Sequence, residues 1–406
     1  MDKERACENA LKFKRTRLMK NLPDTWIFAL SLSNGEKGYV RVFGMNAGDQ
    51  GLELYIGQKG LNSLHKTLRL MILGRAASRF DHDEYVRNAD FIACIFKQKT
   101  ELIDDECEVA TACAKKLGMR PGGKNFYPVF VKMTPMHEEI RIVDQEETDM
   151  LAEALEAAVE AARLVKDSKG EGFLIEHVDM GQVILLSKEN GEWTQRRTLI
   201  GKVEPSLYLS PEFYNDLAAA KLKRLRREGI WVVLIMVSNY VNARTGVVPT
   251  ELLVLREDKE GAIPSKFIED YEDNCGQLLD TMAQKFIEMN ICPEVIRVID
   301  PMSFAFVKDL CDRVGIELEF ESRKYVDDHD DEDLLDELYD EFFGDLDGAP
   351  DAIMDRVEEM LEDGENDEIF LELFIYILLT ISEYRGTPQD LKQRAKRLLD
   401  EVEKNY

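Results

Sequence analysis

Ile230-Trp-Val-Val-Leu-Ile-Met-Val237 is the stretch that decides the fold. Eight consecutive apolar residues rich in β-branched side chains are too few and too branched for a good helix, so the run reads as a strand covered on both faces. Outward from it, Glu251 to Leu255 and Ile263 to Phe267 read as further strands. A helix around Leu278 to Met289 follows, then strand Val295 to Ile299, helix Phe304 to Val314 and strand Ile316 to Phe320. Gly315, after Asp312-Arg-Val, suits the left-handed position that ends a helix.

The first half reads in a similar way. A locally basic helix over residues 2 to 20 stops at Pro23-Asp24. Strands Trp26 to Leu32, Gly38 to Phe43 and Leu52 to Ile56 follow, with Asn34-Gly35 as a hairpin signal. Leu61, Leu64, Leu68, Met71 and Ile72 recur at helical spacing. Strand Phe91 to Phe96, helix Ile103 to Leu117, strand Pro128 to Met133 and helix Asp149 to Val165 complete the order βββαβαβα. The polar, glycine-bracketed segment from Lys166 to Gly172 suggests a boundary. Beyond it, Phe173 to Val178, Gln182 to Ser187 and Trp193 to Ile200 read as strands, the last two joined at Asn190-Gly191, before a Lys- and Arg-rich helix from Pro211 to Gly229.

The fold class expected is therefore α/β, with two tandem mixed-sheet domains of shared architecture and a C-terminal helical appendage. The expected domains are 1–168, 171–345 and 346–406. Residues 327–347 hold twelve acids and no Lys or Arg, yet Leu334, Leu335, Leu338, Phe342 and Phe343 recur through them, as in an acidic amphipathic helix.

The order βββαβαβα resembles the ribonuclease H-like superfamily. That resemblance implies nuclease chemistry on two divalent ions held between carboxylates, one of them on the first strand. Neither Trp231 to Asn239 nor Trp26 to Leu32 carries that acid. What remains is Asp300 at the end of its strand, Glu251 on a neighbouring strand, and Asp327 and Asp331 in the acidic run; these are the candidate ligands for Mg or Mn. Asp300 before Pro301 also suits the cap of the following helix. Gly38-Tyr-Val-Arg-Val-Phe-Gly44 with Gly51-Leu-Glu-Leu-Tyr-Ile-Gly57 resembles a bacterial domain of unknown function. Pro293-Glu-Val-Ile-Arg-Val-Ile-Asp300 with Gly315-Ile-Glu-Leu-Glu resembles a second uncharacterised bacterial domain often joined to the first. Neither resemblance implies an activity; both imply a bacterial setting.

Other chemistry lacks its residues. Gly118-Met-Arg-Pro-Gly-Gly-Lys124 has phosphate-loop spacing, but Asn125 replaces the Ser or Thr, and a helix precedes it where a strand is required. Seven scattered cysteines without a Cys-x-x-Cys pair support neither zinc nor a disulfide framework. No Gly-x-Ser-x-Gly elbow occurs, which leaves Cys113 or Ser303 with a distant histidine as the remaining route to a triad. Lys221, Lys223, Arg224, Arg226 and Arg227 form the densest basic run, without aromatic residues to stack on bases.

At 406 residues and 45% hydrophobic composition the chain is expected to fold as two or three domains. A net charge of −27 disfavours phosphate backbones and anionic lipid. The N-terminal residues lack the marks of a signal or transit peptide, and the most apolar late segment, 369–381, is shorter than the ~20 residues that span a bilayer. The expectation is a cytoplasmic protein whose partner is another protein, with no cofactor, acting as a non-catalytic interaction or regulatory module. The alternative is a divalent-metal phosphohydrolase or nuclease.

Overall fold

The run at 230–237 is a strand, flanked on one side by an antiparallel neighbour and on the other by a parallel one. The computed structural model describes residues 3–20, 22–45, 48–74, 77–142, 144–167, 182–257, 262–321 and 389–405, together with Met354, Val357 and Leu378. The chain forms two compact units, 1–319 and 320–406.

In chain order, the first unit holds α1 (Glu4–Thr16), β1 (Ile27–Ser31), β2 (Lys37–Phe43), β3 (Gln50–Ile56), α2 (Gly57–Leu73), α3 (Arg79–Asn88), β4 (Phe91–Lys97), α4 (Asp104–Lys116), β5 (Tyr127–Met133), β6 (Ile140–Arg141) and α5 (Gln145–Asp167). It continues with β7 (Gln182–Glu189), β8 (Glu192–Leu199), α6 (Asp216–Leu222), β9 (Arg226–Arg227), β10 (Ile230–Val237), β11 (Thr250–Arg256), β12 (Ala262–Ile268), α7 (Tyr271–Glu288), β13 (Ile291–Cys292), β14 (Val295–Val298), α8 (Pro301–Val314) and β15 (Glu317–Phe320), whose last residue falls in the second unit. In the second unit, α9 spans Gln389–Asn405. The helix expected over 327–347 and the strand expected at 173–178 lie outside the described residues; of the helices expected over 352–361 and 369–384, the described residues are Met354 and Val357 in the first and Leu378 in the second, each helical.

The fold is mixed α/β, built on two mixed sheets, with a helix at the C-terminal end. The second sheet has the order β12-β11-β10-β14-β15. Its first three strands are antiparallel neighbours and β14 joins β10 in parallel. The first sheet is ordered β6-β5-β4-β3-β2-β1-β7-β8, antiparallel throughout except where β7 lies parallel to β1. Each sheet thus holds three antiparallel strands followed by a parallel fourth, β3-β2-β1-β7 in the first and β12-β11-β10-β14 in the second, while β4, β5 and β6 extend the first sheet beyond that shared core. Two helices, α2 and α3, lie between β3 and β4, so the chain crosses and returns, and β4 runs antiparallel to β3. The boundary expected at 168–171 does not separate the sheets, because β7 and β8 beyond it complete the first one.

Alternation along the strands divides each sheet into faces. Val40, Val42, Leu52 and Leu54 meet α1, α4 and α5 on one face of the first sheet, while Tyr39, Tyr55 and Ala93 meet α2 on the other. In the second sheet Trp231, Val233 and Ile235 pack on Leu279, Met282 and Phe286 of α7 and on Phe306 and Leu310 of α8. Trp231 is fully buried, edge-on to Phe286 at 5.1 Å. Both helices lie on this one face; on the reverse face Val232 is buried and Leu234 and Met236 are half-buried.

Gly51 belongs in β3 for a reason other than a turn. A Cβ there would lie 2.2 Å from the carbonyl oxygen of Cys94 across the ladder, so only glycine lets the strands approach.

Candidate functional site at the carboxyl end of the second sheet

Odd-numbered residues of β10 turn their backbone groups towards β14, but β14 is short. Its pairing covers Ile230 to Val232, after which the chain turns at Asp300 into α8. The N–H and C=O groups of Ile235 and Val237 are left without a strand partner on that side, and an unpaired buried amide group costs about 1–3 kcal/mol. Side chains take the place of the strand. Ser303 Oγ accepts from Ile235 N–H at 2.8 Å. Arg87 Nη2 donates to Ile235 O at 3.0 Å. Asp83 Oδ2 accepts from Val237 N–H at 2.9 Å. Arg79 donates to Val237 O through Nη2 and to Asn239 Oδ1 at 2.8 Å through Nη1.

Three of these four residues come from α3, a helix that the apolar periodicity does not reveal. Arg79, Asp83 and Arg87 are spaced by four, so they share one helix face. Asp83 is bound at both ends, to Arg79 Nε at 3.1 Å and to Arg87 Nη2 at 3.5 Å. The helix starts at a capping box, in which Ser78 and Asp81 each bind the other's backbone N–H. Its opposite face is tied to α2 by Lys66–Glu84 at 2.5 Å and Arg69–Asp81 at 2.9 Å. A small cavity of about 220 Å³ there is lined by those four residues with Phe80, Ser206 and Tyr208. Thus α3 is held to the first sheet's helix layer and reaches the second sheet's central strand.

Asp300 lies beside this junction and is 7% exposed. It caps α8, accepting from Ser303 N–H at 2.8 Å and from Ser303 Oγ at 2.5 Å, with Pro301 in the first turn. The Ser303 hydroxyl therefore gives its proton to Asp300 and takes the N–H of Ile235, which fixes its direction. It is not placed as a free nucleophile.

The electrostatics follow from burial. Desolvation pushes the Asp83 carboxyl above its usual value, although Arg87, the Val237 N–H and Arg79 all pull against it. Burial likewise raises Asp300, against the Ser303 bonds and Arg87. Asp81 shows the reverse balance: burial raises it, but bonds from Ser78 and Arg69 together hold it below the usual range. Burial also pushes up the Tyr271 hydroxyl, which lies near Arg87 and Asp300. That hydroxyl, with Nε and Nη1 of Arg87, has no hydrogen-bond partner among the described residues. Two carboxylates, Asp83 and Asp300, lie with two guanidinium groups, Arg79 and Arg87, at this junction.

The other sequence candidates are dispersed. Glu251 sits on β11 opposite Met236, on the sheet face away from α7 and α8, so the sheet stands between it and the helix that Asp300 caps. Asp327 and Asp331 lie outside the described residues. Among the described residues, no three His, Cys, Asp or Glu side chains gather as metal ligands. Cys113 is buried, its thiol directed at the Glu4 carbonyl at 3.8 Å.

The basic run does not form one helix, which corrects the expected helix from Pro211 to Gly229. Helix α6 ends at Leu222 and the chain turns into β9, because Arg226 and Arg227 pair with Ile291 and Cys292. Arg227 is turned to structural use, donating to Pro293 O at 3.1 Å and Val314 O at 2.9 Å. Arg226 pairs with Glu228, while Lys221, Lys223 and Arg224 are exposed. Among the described residues, no helix is long and apolar enough to cross a membrane.

Comparison with known proteins adds family context to the first half only. Residues 4–184 match the family model described as a domain of unknown function (DUF7309), a match that begins in α1 and ends inside β7. No curated protein matches. Among solved structures, the chain is similar to the HTLV-2 integrase catalytic core domain in complex with magnesium, at 10% identity and a TM-score of 0.19 over 42% of this chain and 97% of that one. It is also similar to the simian T-cell lymphotropic virus intasome in complex with PP2A regulatory subunit B56 gamma, at 11% identity and a TM-score of 0.21 over 47% of this chain and 59% of that one. Both scores are under 0.5, so neither likeness assigns an activity.

Proposed function

We propose that this chain is a non-catalytic interaction or regulatory protein of the bacterial cytoplasm, in which the carboxyl end of the second sheet is the joint that holds the two sheets together. The observation that carries this reading is the replacement of a missing strand by Arg79, Asp83 and Arg87 of α3, bonded to Ile235 and Val237. Ligands of α/β sheets gather at the carboxyl ends of strands, because backbone groups there point into open space. In this chain those groups meet side chains from α3 and α8, and the acids present are each engaged in a cap or an ion pair. The bacterial setting is supported by the resemblance of residues 38–57 and 293–319 to bacterial domains.

The test is hydrolysis of bis(p-nitrophenyl) phosphate and of single-stranded DNA in millimolar manganese, with Asp300→Asn as the comparison. The expected result is no manganese-dependent turnover above buffer. Turnover that requires manganese and is lost in Asp300→Asn would replace this reading with a phosphohydrolase built on Asp300.

A further inference from the structure

Among the described residues, the first sheet ends in a strand whose outer edge pairs with no other strand. β8 is the last of eight strands, eight residues long, without proline and in unbroken register with β7 from Glu192 to Leu199. Its hairpin turn has two residues, Asn190 and Gly191, both at positive φ (52° and 87°). A turn of that type makes Glu189 and Glu192 a hydrogen-bonded pair, and bonding then alternates along the ladder. Thr194, Arg196 and Thr198 therefore bond to β7, while Trp193, Gln195, Arg197 and Leu199 turn their N–H and C=O groups outward. Lys37 Nζ takes the Leu199 carbonyl at 3.0 Å. Among the described residues, no strand pairs with this edge.

Open edges of this length are normally blunted by proline, bulges or charged side chains, because they template pairing with other chains. β8 has neither proline nor bulge, and its edge charges Arg196 and Arg197 repel another cationic strand but not an acidic one; as adjacent residues they face opposite sides of the sheet. Arg196 shares the face of Leu185, and its charge is felt at Lys37, whose ammonium is held below its usual value by burial and then by Arg196. Arg197 shares the face of Ile184 with Trp193 and Gln195. A groove of about 900 Å³ between β8 and α5 is lined by Trp193, Gln195 and Arg196 but not by Arg197; its acids Glu153 and Glu156 are engaged by Ser33 and by Arg5 and Lys188. Trp193 walls this groove with Lys188 over its ring at 5.5 Å. From Trp193 to Lys202 there are three cations and no acid, in a chain of net charge −27.

We propose that the outer edge of β8 is a docking strand for an acidic, extended segment of another protein, which adds as a ninth strand. Backbone pairing supplies affinity, and the two arginines select for acids on both faces of the incoming strand. Alternate side chains on one face of that strand enter the groove beside Trp193. A second copy of β8 fits less well, because it would bring its own two arginines against these two. The surface stands apart from the junction: manganese-dependent turnover would overturn the proposed function and leave this inference intact.

The experiment measures polarisation of a fluorescein-labelled decapeptide of repeating Glu-Glu-Val-Val, which sets acids on both faces of a strand, titrated with the full chain at low salt. Saturable binding that weakens as salt rises is expected. Gln195→Pro removes an outward N–H without touching a bond to β7, and is expected to weaken binding about tenfold with an unchanged circular dichroism spectrum. Should that variant fail to fold, Arg196→Glu with Arg197→Glu carries the test, with an expected loss of about fivefold that shrinks at high salt. Absence of binding, equal binding of a Lys-Val decapeptide, or indifference to both variants would overturn the proposal. So would a dimer in sedimentation that Gln195→Pro abolishes, which would assign the edge to a second copy.

Discussion

Two buried ionic clusters in this molecule use the same residue types for different ends. In the first sheet, Arg41 and Glu53 face each other directly across β2 and β3 and form a two-pronged pair at 2.5 and 2.6 Å. Tyr55 donates to Glu53 at 2.5 Å and Arg41 reaches the Asp24 carbonyl at 3.3 Å. Burial opposes the Arg41 charge, but Glu53 outweighs it and the guanidinium pKa is raised. At the junction, Asp83 and Arg87 instead lie on one helix and turn their remaining bonds to a strand about 150 residues later in the chain. The first cluster closes on itself and fixes the register of two neighbouring strands. The second is left incomplete by its own helix and gains its bonds to Ile235 and Val237 only when the two sheets meet, so it encodes how they join.

This difference is open to test, beginning with the largest effect. Arg41→Ala leaves Glu53 charged and buried, and is expected to destabilise the chain by about 3–5 kcal/mol in denaturant unfolding. Asp83→Ala leaves Val237 N–H and Arg87 without their acid; about 3 kcal/mol is expected, because Arg87 can turn partly to Asp300. If the clusters differ as described, Arg41→Ala lowers the stability of the whole unit, whereas Asp83→Ala also makes the segment after Ile235 sensitive to proteolysis under native conditions. Ser303→Ala removes the acceptor of Ile235 N–H and a donor to Asp300, for an expected loss of about 1–3 kcal/mol. Equal proteolysis patterns for Arg41→Ala and Asp83→Ala would erase the distinction.

The smallest effect is in pH. Asp300 has a folded pKa above its usual 3.8, so its contribution to stability is full below 3.8 and is lost as pH rises through the folded value. The stability of the native chain should therefore rise relative to that of Asp300→Asn as pH falls through that window, and the difference between them should be flat near neutrality. A stability advantage of the native chain that grows with rising pH would mean that Asp300 is stabilised as an anion, as a cation-binding carboxylate would be.

How much of this was legible in the sequence depended on whether the determinant was local. The strand at Ile230 to Val237, the hairpin at Asn190-Gly191 and the Asp300-Pro301 cap all rest on neighbouring residues, and the structure has each of them. Helix α3 escaped because it is polar around most of its circumference, so apolar periodicity had nothing to follow. Ser78-x-x-Asp81 was a readable start signal, and Arg79, Asp83 and Arg87 a readable spacing. Their partners, the backbone groups of Ile235 and Val237, carry no side-chain signature at all. Strand order was similarly hidden, since β7 returns to β1 from beyond a segment whose composition resembles a linker. The basic run misled because charge density says nothing about where a helix ends, and Arg227 is half-buried among carbonyls.

Amide hydrogen exchange at Val237 tests the joint most directly. In the native chain its N–H should exchange as slowly as that of Met236, whose backbone faces β11, and in Asp83→Ala it should exchange fast while Met236 stays protected. Fast exchange at Val237 in the native chain, or unchanged protection in Asp83→Ala, would contradict a joint made by α3.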